Sequence, residues 1–242
     1  HAYIYYMTTL INLKKSMRPD LLSELFPLFN AANPETLTGL LSAATELTYP
    51  AGRTVLMEDS WGNAIYLIVA GWIKVRHDTG GDYVTLAVLG KGDFFGEMAI
   101  LDESPRSTDV VALSPVKLLS VPAQHFIDTL FQDHHLHHRM LQLMVQRLRH
   151  TNGHFQRRRK PTAVKLANTL TFLAETYGEN TDTIPEIFNL AVDDLAAIAD
   201  IPKDDAAKIM EKLREKEWIV TSQDGQTLKL KGFHHLIQLA QK

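Results

Sequence analysis

Apolar positions between about Met17 and Glu46 recur at helical intervals. Leu21, Leu22, Leu25, Phe26 and Phe29 fall on one face, and Asn33-Pro34-Glu35 then opens a second helix. From Leu47 to Val121 the period changes. The runs Ala64 to Val69, Trp72 to Val75, Tyr83 to Leu89 and Val116 to Val121 are short, apolar or alternating, and separated by Gly, Asp and Pro. That pattern predicts an antiparallel β-barrel or jelly roll, with hairpins turning at Gly71, Gly80-Gly81 and Gly90.

From Ala123 to roughly Arg159 the helical period returns, with Phe126, Leu130, Leu136, Met140, Leu143, Met144, Arg147, Leu148 and Thr151 on or near one stripe. Pro161 disfavours helix at Lys160 and suits the first turn of the next helix. Beyond it, Val164, Leu166, Ala167, Leu170 and Leu173 predict a helix ending near Tyr177-Gly178. Val192 to Ile201 reads as a capped short helix and tight turn, and Pro202 to Leu213 as the next helix. Trp218-Ile219-Val220 and Thr227 to Leu230, joined across Asp224-Gly225, predict a hairpin. The expected fold class is therefore α+β.

The organisation read from these shifts has four parts. Residues 1–20 are expected to be an N-terminal extension or tag remnant, in which Met7 offers a native start after His1 to Tyr6. Residues 21–122 form the barrel domain with its N-terminal helices, 123–160 a long helix and basic hinge, and 161–242 a second domain. The chain has 242 residues, enough for each domain to bury its own core. No run is long and apolar enough to span a bilayer, so no membrane partner and a cytoplasmic location are expected. The absence of cysteine excludes disulfides, thiolate catalysis and cysteine-held iron-sulfur sensing.

The most specific chemistry lies in Gly92-Asp93-Phe94-Phe95-Gly96-Glu97-Met98-Ala99, followed by Pro105-Arg106-Ser107-Thr108. These residues supply the parts of a cyclic-phosphate cradle. Glu97 offers a carboxylate to a ribose hydroxyl, Arg106 a guanidinium to the phosphate, and the turn from Gly96 through Met98 to Ala99 its amide groups. Gly96 lets the backbone approach the ligand, and Ser107 and Thr108 add hydroxyls. This run resembles the phosphate-binding cassette of the CRP/FNR regulators and of eukaryotic cyclic-nucleotide-binding domains. The helix, turn, helix and hairpin after Pro161 resemble the winged helix-turn-helix that ends CRP/FNR proteins, so the likeness covers about residues 20 to 235.

The resemblance implies a jelly-roll nucleotide domain, a long dimer helix and hence a homodimer, with His150, Thr151 and Asn152 on the turn that faces the base. It implies no metal and no catalytic residue, and no nucleophile beside a base stands out in the chain. Two ligand classes remain open: a cyclic mononucleotide, cyclic AMP or cyclic GMP, and the dinucleotide cyclic di-GMP. The second draws on the helix, because Arg139 to Lys160 holds seven Lys or Arg, Arg147 and Arg149 among them, and no carboxylate. Nucleic acid, a ligand with several phosphates, or a solvated hinge would each fit that charge.

One departure from the family bears on output. DNA-reading members open the second helix of the motif with Ser/Thr and Arg, whereas this chain offers Lys203, Asp204, Asp205 and Lys208. Residues 161–242 hold 9 Lys+Arg against 13 Asp+Glu, a net of −4. Lys203, Asp204 and Lys208 are the candidate DNA contacts, weakened by this charge, and a partner regulator protein is the alternative route of output. The remaining patterns carry less. His134, His135, His137 and His138 suggest adventitious metal binding, Trp72 and Arg76 share a strand face, and Arg18 and Asp20 form a short paired motif.

Overall fold

In a computed structural model, which describes residues 17–156, 159–181 and 184–241, the first helical pattern becomes α1 (Pro19–Leu25), a 3-10 turn (Pro27–Phe29) and α2 (Pro34–Ala43). Pro19, Pro27 and Pro34 each sit in a first turn, where the missing N–H costs nothing. Most of the expected N-terminal extension, and Arg157-Arg158 of the basic hinge, lie outside the described residues. Leu22, Phe26 and Phe29 are buried, but Leu21, assigned above to the same face, is 40% exposed. The helix is only two turns long, so its buried stripe is narrower than the apolar run suggests.

The alternating region yields eight strands: β1 (Thr45–Tyr49), β2 (Thr54–Leu56), β3 (Ala64–Ala70), β4 (Ile73–Asp78), β5 (Tyr83–Leu89), β6 (Phe94–Phe95), β7 (Asp109–Ala112) and β8 (Val116–Pro122). They form two four-stranded sheets, ordered β1-β8-β3-β6 and β2-β7-β4-β5. Ile65 pairs with Val121 and Leu67 with Leu119, and these residues join the N-terminal helices in one core. Leu56, Ile68, Ile73, Phe95, Val110 and Leu118 fill a second core. Gly80-Gly81 turns the β4–β5 hairpin as expected, but β3 and β4, like β5 and β6, belong to different sheets, so Gly71 and Gly90 lie where the chain crosses between sheets rather than in hairpins. Gly71 makes its crossing at φ +89°, and a Cβ there would strike the Pro115 carbonyl oxygen. Between β6 and β7 lies the one-turn helix α3 (Met98–Leu101).

The long helical stretch is broken. α4 (Ala123–Gln132) ends at Asp133, and α5 (His134–Gln156) begins after it. Asp133 is only 1% exposed, and its carboxylate accepts four hydrogen bonds: from the Asn33 amide and Thr36 hydroxyl at 2.8 Å, and from the His135 and Leu136 amides at 3.0 and 3.1 Å. One carboxylate thus caps α5 and ties it to the start of α2. Burial raises its pKa, but those hydrogen bonds outweigh burial and hold it below the ordinary value.

A depressed carboxylate contributes stability that is present above its unfolded pKa of about 3.9 and is lost as the pH falls through the lower folded value. Asp133→Ala is accordingly expected to cost about 3 kcal/mol near neutral pH, because it also strands buried donors. Thermal melts should show the gap between the variant and the parent closing in acid. A melting point unchanged at pH 7 would show that this junction is not held by the carboxylate.

The described chain clusters into two compact units, one ending at Leu148 and the other formed chiefly by residues from Arg149 on. The second contains α6 (Thr162–Tyr177), β9 (Glu179–Thr181), β10 (Ile184–Phe188), α7 (Val192–Ala199), α8 (Lys203–Glu215), β11 (Val220–Thr221), β12 (Thr227–Lys229) and α9 (Phe233–Ala240). Its sheet order is β11-β12-β10-β9. α7 and α8 meet through a turn in which Asp200 takes φ +53°, and Leu195, Ala199, Ala206, Met210 and Leu213 bury their inner faces. With the hairpin this is a winged helix-turn-helix. No helix of the described residues is long and apolar enough to cross a membrane.

Candidate functional site

The cassette residues converge around Gly96. Its φ of +83° favours glycine, and a Cβ would lie 2.7 Å from the Arg106 Nη1, 3.2 Å from the Ala64 carbonyl oxygen and 3.3 Å from the Tyr66 ring. A side chain at 96 would therefore occupy the approach to the guanidinium. Arg106 is 5% exposed, donating to the Gly96 carbonyl at 3.3 Å and the Ala64 carbonyl at 3.2 Å. Burial lowers its pKa, opposed by Tyr66 and Glu97. Both hydrogen bonds are long and go to neutral oxygens. A fixed, desolvated guanidinium with only carbonyl partners is well suited to a phosphate, which can offer two charged oxygens at once.

Glu97 stands at the start of α3 and is 5% exposed. Arg147, 50 positions later on α5, donates to its Oε1 at 2.7 Å. The same guanidinium donates to the Phe94 carbonyl at 2.7 Å, reaches Asp93 at 3.4 Å and lies 4.1 Å from the centroid of the Phe94 ring. Arg147 was named above as a ligand residue; what the sequence did not reveal is that Asp93 and Phe94 hold it beside Glu97. Tyr66 stacks on Phe95 at 5.2 Å and forms part of the wall beneath Arg106. Burial raises the pKa of its phenol, so it stays neutral.

The other candidate residues distribute unevenly. Ala99 is buried beside Gly62, Met98 is 60% exposed, and Ser107 is exposed with Thr108 half-buried. The Met98 and Ala99 amides lie in the first turn of α3, where an intrahelical acceptor is lacking. His150 stacks on Phe172 at 4.1 Å, while Thr151 and Asn152 are exposed; all three belong to the second unit. An open cavity of about 660 Å³ adjoins Arg106 and is lined also by Arg53, Ser60, Trp61 and Asn63.

Elsewhere, Trp72 precedes β4, and Arg76 is taken up by Asp109 at 3.1 Å and by the Tyr83 ring at 3.7 Å, so these two do not form a stacking pair for a ligand. Arg18 and Asp20 are exposed and bond each other at 2.6 Å. Among the described residues no group of three or more His, Asp or Glu is placed to hold a metal. On α8, Lys203 pairs with Asp193 at 2.9 Å, while Asp204 and Lys208 are exposed.

Comparison with known proteins places this geometry in context. Residues 46–133 match the cyclic nucleotide-binding domain. The cyclic AMP receptor protein of Thermus thermophilus is 29% identical over 196 residues, 78% of this chain and 86% of that protein. The structure of FixK2 from Bradyrhizobium japonicum superposes with a TM-score of 0.68 at 18% identity, covering 81% of this chain and 96% of that one. The c-di-GMP responsive global regulator CLP of Xanthomonas campestris gives 0.64 at 17% identity, with 82% and 99% covered. At such identities the two structures speak for the fold alone.

Proposed function

The chain belongs to the CRP/FNR family, and we propose that it is a receptor for a cyclic mononucleotide that regulates transcription as a homodimer. The observation that carries the ligand reading is that buried Arg106 lies against Gly96 with only carbonyl oxygens as hydrogen-bond partners, and feels the charge of buried Glu97, the residue after Gly96 along the chain. Arg106 takes the phosphate and Glu97 the ribose hydroxyl. Glu97 shares its carboxylate between Arg147 and the ribose.

The geometry favours one phosphate over two. The dinucleotide reading drew its second phosphate partner from the basic helix, yet Arg147 is committed to Glu97 and the Phe94 carbonyl, and Arg139 donates to the Pro27 carbonyl at 2.8 Å. Cyclic di-GMP is the second reading, favoured by the open cavity beside Arg106 with Arg53 on its wall. The homodimer rests on α5. Leu141, Val145 and Leu148 are 55%, 48% and 59% exposed at spacings of four and three, a stripe whose burial against a second copy would remove apolar surface from water. This is a sensor with no assigned chemistry of its own.

Calorimetry of the full chain against cyclic AMP, cyclic GMP and cyclic di-GMP, with particle mass from light scattering, tests these points together. The expected result is one cyclic mononucleotide per chain in a two-chain particle, with no heat from cyclic di-GMP. Binding of cyclic di-GMP alone would transfer the site to the second reading. Absence of heat from all three would remove the receptor role.

A further inference from the structure

Two loops of the barrel unit expose more apolar surface than the barrel requires. Trp61 is 72% exposed, Met57 65%, Met98 60% and Leu101 42%. Backbone contacts bring the two loops side by side. The Asp59 amide donates to the Arg106 carbonyl at 2.9 Å, and the Arg106 amide to the Ser60 carbonyl at 2.8 Å. Trp61 bridges to Pro105, and a Cβ on Gly62 would lie 2.8 Å from that of Ala99.

Arg53 and Arg106 line the cavity on one side of Trp61, but the two loops themselves carry charge of one sign. Residues 57–63 and 97–105 include Glu58, Asp59, Glu97, Asp102 and Glu103 and contain neither Lys nor Arg. Glu97 is engaged by Arg147 and Glu58 by His77, whereas Asp59, Asp102 and Glu103 are exposed. An exposed Trp amid Met and Leu, bordered by carboxylates, has the make-up of a recognition surface with an aromatic anchor and a charged rim.

We propose that this face docks a basic amphipathic helix of a partner protein. The carboxylate rim repels nucleic acid and anionic membranes and attracts Lys and Arg. The flexible Met side chains adapt to the apolar face of a helix, with Trp61 as the anchor. Trp61 and Met57 also line the cavity beside Arg106, so the docking is assigned to the chain without nucleotide. The two sites are coupled through Arg106: the 57–63 loop is hydrogen-bonded to its backbone and the 97–105 loop runs directly into it, so a nucleotide that draws on Arg106 changes partner affinity, and the partner changes nucleotide affinity by the same factor.

The test uses two peptides of about 18 residues, or five helical turns, one patterned from Lys and Leu and one from Glu and Leu, titrated into the full chain without nucleotide. The Lys/Leu peptide is expected to bind and the Glu/Leu peptide to be ignored. Trp61→Ala should weaken binding by roughly ten-fold or more, and so should the pair Asp102→Lys with Glu103→Lys. All three residues are exposed, so the variants should melt like the parent. No binding by the parent, equal binding of the two peptides, or full affinity in Trp61→Ala would each overturn the proposal. Trp61-dependent docking in a protein that binds no cyclic nucleotide would keep the surface and remove only the receptor reading.

Discussion

Arg106→Ala is expected to reduce cyclic-nucleotide affinity by about a hundred-fold or more while the barrel stays folded. A charge-assisted pair of this kind is worth about 1.5 to 3 kcal/mol. The upper end applies because Arg106 is 5% exposed and little water remains to replace it. Arg106→Lys should recover only part of the loss, since an ammonium keeps the charge but not the planar fork. Glu97→Gln should weaken binding more modestly, because an amide still offers one oxygen to the ribose. Calorimetry reads the affinities, and melting curves guard against the trivial explanation that the carbonyls of Ala64 and Gly96 have lost a structural partner. Unchanged affinity in a folded Arg106→Ala protein would sink the cassette as the ligand site.

The cassette was legible in the sequence because its logic is local. A glycine, a carboxylate and an arginine within ten positions of one another need only a turn to bring them together, and glycine itself reports the unusual backbone. The hold of Asp93 and Phe94 on Arg147 was not legible. It spans 54 and 53 positions, and which face of α5 meets the cassette is fixed by the packing of Leu136 and Met140 in the N-terminal core rather than by the residues that hold Arg147. The break at Asp133 was hidden for a related reason. The apolar period runs through it almost undisturbed, and the four donors that select the break come partly from Asn33 and Thr36, 100 and 97 positions earlier.

Short strands were hard to see for a different reason. β9 and β10 add two strands to the sheet of the wing, yet Pro185 lies within β10, and a proline argues against a strand when only propensity is consulted. β6, with two residues, is too short to show any alternation; Tyr66 and Leu67 of β3 determine it by pairing with Phe95 and Phe94. Where an element depends on its neighbour for identity, periodicity along its own residues carries little of the information.

The winged-helix unit poses the second large expectation. The first turn of α8 contains Asp204 and Asp205, which favour the helix through its positive end, each by about 0.3 to 1 kcal/mol. The same charges oppose phosphate, and Lys203, the cation nearest them in sequence, is paired with Asp193. We therefore expect weak, salt-sensitive DNA binding by the parent protein, with signal passing onward through a partner. Asp204→Arg with Asp205→Thr should raise DNA affinity about ten- to a hundred-fold and steepen the salt dependence by about one unit of slope, as one more phosphate contact requires. The double variant should also lose a little stability, since it removes two favourable charges from the helix start. Fluorescence anisotropy across a salt series, with cyclic nucleotide present, makes both measurements. Nanomolar, sequence-selective binding by the unaltered chain would show that α8 reads DNA despite its carboxylates, and the search for a partner to carry the signal would lose its motive.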